Sequence, residues 1–321
     1  MSAAPAEFDL IARHFRPLAG PGALDLQDDA AVFAPPSGRE LVVAADAMVA
    51  GVHFLPDDPP DLVGRKLLRV NLSDLAAMGA APLGYLMTVS APVGTPDAWF
   101  AGFAAGLAAD QAEFGIALLG GDTTATSGPV CLSLTILGHV APGRAVRRNG
   151  ARPGHGLWVT GTIGDGLLGL HAARGEVADP DGYLAGRYRL PRPRLGLPIG
   201  ELAAAAMDVS DGLVPDAGHV CRARGVGAEI EAELVPLSPA ARAVGGQWRE
   251  RCLNGGDDYE LILAVAPERE GELLKASRDS GIAVTRIGRF AGAEASVTVR
   301  DASGAPIVLP AGWSHFAQGP C

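Results

Sequence analysis

Residues 71–80 read Asn71-Leu72-Ser73-Asp74-Leu75-Ala76-Ala77-Met78-Gly79-Ala80. They close a longer stretch, Asp61 to Met78, in which Leu62, Leu67, Leu68, Leu72 and Leu75 fall at helical spacing. Gly79 follows as a C-cap. The spacing predicts a helix, with Asn71 and Asp74 three residues apart and therefore on one face. A polar face on so apolar a helix is either solvated or turned toward a metal cluster.

Outward from that helix, strands and helices alternate. Leu41 to Ala45 reads as a buried strand ending at Asp46, and Tyr85 to Ser90 and Val130 to Val140 read as further strands. Thr95-Pro96-Asp97 opens an Ala-rich helix running through Phe114, with Pro96 near its first turn. Ile116 to Leu119 is a strand that leads into Gly120-Gly121-Asp122. Between Ala141 and Gly156 the chain turns rich in Gly, Pro and Arg, which marks a linker between a domain over 1–141 and one over 142–321. The second half restarts with a strand over Leu157 to Thr160. Strand-like segments recur at Glu229 to Ile230, Tyr259 to Val265, Ala283 to Ile287 and Ser296 to Arg300. Residues 176–198, with four prolines, read as an irregular excursion. The fold class is α+β in two domains.

Short acidic clusters beside glycine or a small hydroxyl residue recur along the chain: Asp28-Asp29, Ser73-Asp74, Gly120-Gly121-Asp122, Asp208-Val209-Ser210-Asp211-Gly212 and Gly255-Gly256-Asp257-Asp258. Each alone is an ordinary turn. Together they suit Mg2+, which takes a few carboxylates, keeps waters and carries substrate phosphates. Asp28-Asp29 stands before the strand-like Ala30 to Val32, either as an exposed loop or as a metal-holding pair. Asp46, followed by His53, is placed to reach a ligand. Gly120 to Thr124 lets backbone approach a phosphate, although the GxxxxGK[ST] loop is absent. Gly161 to Gly166 lacks the full dinucleotide fingerprint, so that reading is rejected. Ser210 either caps a following helix or meets a ligand, and Arg148 is the cationic candidate for a nucleotide phosphate.

Composition narrows the classes. At 321 residues the chain exceeds one typical core, and its 48% hydrophobic and 19% charged content is that of a globular protein. A net charge of −10 opposes a nucleic-acid partner. No apolar run reaches membrane-spanning length, and Met1 to Glu7 carries no secretory pattern, so a cytoplasmic location with no membrane partner is expected. The four cysteines form no CxxC pair and read as reduced thiols.

Taken together, Asn71 to Ala80, Gly51 to Pro56 (GVHFLP), Gly120 to Thr124 (GGDTT), Arg148 to Gly154, Asp208 to Leu213 (DVSDGL) and Gly255 to Leu261 (GGDDYEL) resemble the thiamine-monophosphate kinases. These belong to the superfamily named for aminoimidazole ribonucleotide synthetase. The resemblance implies an N-terminal sheet domain that forms a homodimer and a C-terminal α/β-sandwich domain, with the active site in a cleft between them. It implies transfer of phosphate from ATP to thiamine monophosphate, with several Mg2+ ions. Carried over by motif, Asp29, Asp46, Asp74, Asp122, Asp208 and Asp211 are metal ligands. Gly121, Asp122, Arg148 and Ser210 meet ATP, and His53, Asp257 and Trp313 meet thiamine phosphate. No general base is implied.

The chain departs from the family's pattern at Gln27, at Ala44, Ala45 and Ala47 around Asp46, at His155, and at Asp257, where the usual residue is glutamate. Two other readings stand beside the kinase. One is a sister ATP-dependent enzyme of hydrogenase-maturation type, which uses a C-terminal cysteine such as Cys321. The other is a non-catalytic nucleotide-binding homologue.

Overall fold

The computed structural model describes residues 7–309, which fall into two compact units. Residues 80–143 join those before Ala76 in the first; Ala76–Gly79 and the chain from Arg144 onward make the second.

The first unit is built on a four-stranded sheet: β1 (Glu40–Val49), β2 (Ala81–Pro92), β3 (Leu118–Thr126) and β4 (Cys131–Val140), in the order β1-β4-β2-β3. Only β2 and β3 run parallel. Burial alternates strictly along β4, with Leu132, Leu134 and Ile136 inside, so one face is covered and the other is not. Helices Pro60–Ala77 and Asp97–Phe114 supply the apolar cover, through Leu67, Leu68, Leu72, Phe103 and Leu107. Leu75 lies on Gly138 of β4, where a Cβ would come within 2.9 Å of it. The helices approach closely because Gly106 leaves room: a Cβ there would meet the Asp61 carbonyl at 1.9 Å. Arg65 and Arg69 of one helix then grip buried Asp110 of the other at 2.7 Å.

The open face carries Leu41, Val43 and Leu86, all exposed. The strand over Ala30 to Val32 does not form; the run is irregular and Val32 is largely exposed. Gly120 to Thr124 is not a loop after a strand but the body of β3, whose threonines suit an extended edge strand. Asp46 does not end its strand either, because β1 continues three residues further to Val49, paired to β4 throughout.

The second unit has a six-stranded sheet in the order β10-β7-β9-β5-β8-β6: β5 (Gly156–Thr160), β6 (Ala205–Asp208), β7 (Gly227–Glu231), β8 (Leu261–Val265), β9 (Val284–Ala291) and β10 (Val297–Arg300). Its central strands read as continuous apolar runs because both faces are buried. Leu157, Val159, Ile262 and Ala264 face one layer with Leu213, Ala217 and Val220 of the Leu213–Arg224 helix. Trp158, Leu261, Leu263 and Val265 face the other, with Leu273 of the Glu270–Ser280 helix. The stretch over 176–198 holds a short helix, Tyr183–Arg189, rather than being irregular throughout. Among the described residues no helix is long and apolar enough to cross a membrane, and Cys131, Cys221 and Cys252 are free thiols.

Candidate active site

In the second unit, two motifs more than forty residues apart are joined by backbone. Past the β6–β8 pairing, Tyr259 N–H donates to Val209 O at 2.8 Å and Asp257 N–H to Ser210 O at 2.9 Å. Asp208-Val209-Ser210-Asp211-Gly212 therefore lies directly beside Gly255-Gly256-Asp257-Asp258. Glycine is required at this contact: a Cβ on Gly256 would meet Ser210 O at 2.1 Å, and one on Gly212 would meet Asn254 O at 2.6 Å. Asp257 and Tyr259 take positive φ of 69° and 51°. A non-glycine residue holds that conformation at a cost, and such positions cluster at ligand sites.

Buried acids to which the motifs gave no individual role hold this loop pair. Asp258, 1% exposed, accepts Gly164 N–H at 2.7 Å and Gly166 N–H at 2.8 Å, and so draws in the Gly161 to Gly166 turn. Burial pushes its carboxyl well above the usual range, against the pull of those two N–H groups. Glu260 accepts from Thr160 Oγ1 at 2.7 Å and from Arg187 at 3.1 Å, and it also pairs with Arg194. Both arginines come from the 176–198 region. Asp165 accepts from Thr162, Tyr183 and Ser238 hydroxyls.

Ser210 does not cap the Leu213–Arg224 helix. Gly212 is the cap residue, and its N–H together with those of Ser210 and Asp211 converges on Asp216 Oδ2 at 3.0–3.1 Å. A carboxylate in the first helical turn is a legible signal for this role. Burial, then the neighbouring Asp208 and Asp211 charges, push Asp216 up to about 8, despite its backbone donors. Crowded carboxylates of this kind are what a bound cation relieves, and Asp211 and Asp216 each offer an oxygen within 4.8 Å of the other. Arg148 sits in a turn locked by Gly150, where a Cβ would meet Ala204 O at 1.7 Å. Its charge reaches His219, whose pKa is lowered by burial first and then by Arg222 and Arg148, while Asp211 acts in the opposite sense. Arg148, Asp211 and His219 thus share one neighbourhood.

In the first unit, Asn71 is fully buried. Its Oδ1 accepts the Asp46 N–H at 3.1 Å while its Nδ2 donates to Leu67 O at 2.9 Å. The helix face carrying Asn71 and Asp74 is therefore turned to β1 at Asp46. His53 Nδ1 accepts the Val49 N–H at 3.0 Å, which places the proton of the neutral ring on Nε2. Asp122 stands opposite Thr88, on the open side of the sheet, whereas Asp46 stands opposite buried Leu134 on the helix side. The two acids occupy the outer strands, separated by three strand spacings, roughly 14 Å of backbone. One sheet does not bring their side chains to a common ion. Gly121 lets β3 approach β2, since a Cβ there would meet Met87 O at 1.8 Å. Asp28 and Asp29 are exposed in a bend. Trp313 and Cys321 lie outside the described residues.

Residues 27–140 match the AIR synthase related protein, N-terminal domain, and residues 152–300 match the corresponding C-terminal domain. The chain is 47% identical over 327 aligned positions to a thiamine-monophosphate kinase of Caulobacter vibrioides, covering 98% of this chain and 92% of that one. It superposes on the crystal structure of thiamine-monophosphate kinase from Stenotrophomonas maltophilia K279a with a TM-score of 0.83 at 39% identity, covering 92% and 96% of the two chains. A third relative, AaThiL solved in complex with AMPPCP and TMP, gives a TM-score of 0.78 at 31% identity over 90% and 91%. The fold and paired domains define an AIR synthase related protein. Within that class, the chain belongs to the thiamine-monophosphate kinase family.

Proposed function

We propose that this chain transfers the γ-phosphoryl group of ATP to thiamine monophosphate, giving thiamine diphosphate. The observation that carries the reading is the joined loop pair of the second unit, with acids crowded around Ser210 and Asp211. It is supported by a family relative that holds an ATP analogue and TMP together. The acceptor is a phosphate whose second pKa is about 6, so it is largely ionised at neutral pH and needs no general base. Two anions must meet, and the task left to the protein is positioning and charge neutralisation.

Bound Mg2+ would supply the positive charge that offsets the phosphate oxygens. In this reading Asp29, Asp46, Asp74, Asp122, Asp208 and Asp211 would hold several such ions, with Asp46 and Asp122 on different ones. Gly121 and Ser210 bring backbone and hydroxyl to the nucleotide, and Arg148 pairs with its phosphates. Asp257, His53 as an Nε2–H donor, and Trp313 are the proposed contacts to thiamine phosphate. The open sheet face with Leu41, Val43 and Leu86 is the surface through which two copies pair as a homodimer, and the enzyme works in the cytoplasm, with its thiols reduced.

The test is purified protein with MgATP and thiamine monophosphate, with products separated by chromatography. Thiamine diphosphate is expected, and unphosphorylated thiamine should give no product because it lacks the anionic acceptor. Absence of thiamine diphosphate contradicts the reading.

A further inference from the structure

Asp216 presents two differently used oxygens. Oδ2 receives the three N–H groups of Ser210, Asp211 and Gly212, while Oδ1 is buried with no hydrogen-bond partner among the described residues. The residue as a whole is 0% exposed. A buried carboxyl oxygen left unpaired is costly, and either a retained proton or a bound cation relieves it. Two other donors stand beside it. One ligating atom each from Asp211, Asp216 and His219 lies within 4.8 Å of the others. Asp216 and His219 are three apart on the Leu213–Arg224 helix and so share a face, and Asp211 precedes that helix by two residues. The start of a helix ordinarily repels a cation, and here the Asp216 and Asp211 carboxylates stand against that field, Oδ2 of Asp216 holding the N–H groups of the turn that leads into the helix.

We infer that Asp211, Asp216 and His219 form a site for a divalent transition ion of the Co2+–Zn2+ class. It extends the reading of Asp211 as a metal ligand in two ways. Two residues join it that the family motif does not assign, and the ion's class changes. Mg2+ is an oxygen-seeking ion that keeps its waters, and an imidazole nitrogen adds little for it. The same nitrogen raises affinity for Co2+ or Zn2+. Asp216 would serve two roles at once, with Oδ2 holding the Ser210–Gly212 turn and Oδ1 facing the ion. His219, exposed on its outer side, leaves the ion reachable from solvent.

The experiment is a Co2+ titration of the full chain in a large excess of Mg2+, without ATP or thiamine monophosphate, followed by the visible d–d absorption of the bound ion. One Co2+ per chain is expected. His219→Gln and Asp216→Asn should each weaken it by at least about tenfold, as loss of a ligand does more than loss of the residues that orient one. The amide oxygen of Asp216→Asn can still accept the turn's N–H groups, and circular dichroism checks this. If that variant nevertheless unfolds, His219→Gln, at a surface position, decides alone. No Co2+ binding under Mg2+ excess, or equal binding by His219→Gln, overturns the site. Because neither substrate is present, failure here leaves the proposed phosphoryl transfer standing, and an inactive chain can still show the site.

Discussion

Asn71 Oδ1 accepts the backbone N–H of Asp46 at 3.1 Å, tying the centre of a helix to the centre of β1. The bond fixes the backbone of a proposed metal ligand without using its carboxylate. Asn71→Ala leaves that N–H short of its partner inside the unit and should cost about 2 kcal/mol. Urea unfolding checks it, and a loss below about 0.5 kcal/mol would show that the bond does not matter. Asp46→Asn keeps the backbone contact and should unfold at nearly the same midpoint as the unsubstituted protein.

Glu260 is 0% exposed and faces Arg187 and Arg194. Its removal takes the buried carboxylate from both, leaving Arg187 with the Asp258 carbonyl at 3.3 Å and Asp165 at 3.9 Å. Glu260→Ala should therefore lower stability by about 3–5 kcal/mol, the usual effect of breaking a buried ion pair from one side. Replacing Glu268, on the surface turn over Pro267–Arg269, is the control and should change little.

The pH dependence of metal-free protein has a definite sign. Asp216 is raised from 3.8 to about 8 in the folded chain, so between those values the native state keeps a proton that the unfolded chain has released. Stability should fall as pH rises from about 4 to about 8 and level off above. Denaturation midpoints in EDTA measure this. Asp216→Asn should remove that part of the slope, and an unchanged slope would mean that another group is responsible.

Gly121→Ala puts a methyl group 1.8 Å from Met87 O, a backbone atom that cannot swing aside. The edge strand β3 must move, and Asp122 with it. We expect loss of phosphoryl transfer together with faster hydrogen exchange along β3. Full activity in this variant would contradict the placement of the nucleotide here.

Asp74→Asn and Asp122→Asn should each reduce turnover by two orders of magnitude or more while leaving the denaturation midpoint nearly unchanged. The estimate follows from the roughly 10²–10³ effect of removing one group that stabilises transition-state charge. Near-normal activity in both variants would remove these residues from the metal site.

Much of this was legible in the chain. Leucines at helical spacing mark the Pro60–Ala77 helix to within a residue at each end, and the apolar runs of β5 and β8 announce a sheet buried on both faces. Other features were hidden for identifiable reasons. Gly120 and Gly121 look like a turn, yet they lie in a strand, and at Gly121 the neighbouring β2 backbone occupies the space a side chain would fill. Asp46 looks like a strand terminus because a charge normally stops an apolar run, but here a buried amide on another element accepts its N–H. Asp258 and Glu260 carry no local signal, since their partners at Gly164, Gly166, Arg187 and Arg194 come from more than sixty residues away.

The central claim is that phosphate passes straight from ATP to thiamine monophosphate, with aspartate-held cations and no protein-bound intermediate. Single-turnover rapid quench with γ-labelled ATP tests it most directly. The label should move from ATP to thiamine diphosphate at one rate, with none on the protein at any time. Label trapped on the chain, or released only as inorganic phosphate, would contradict the account.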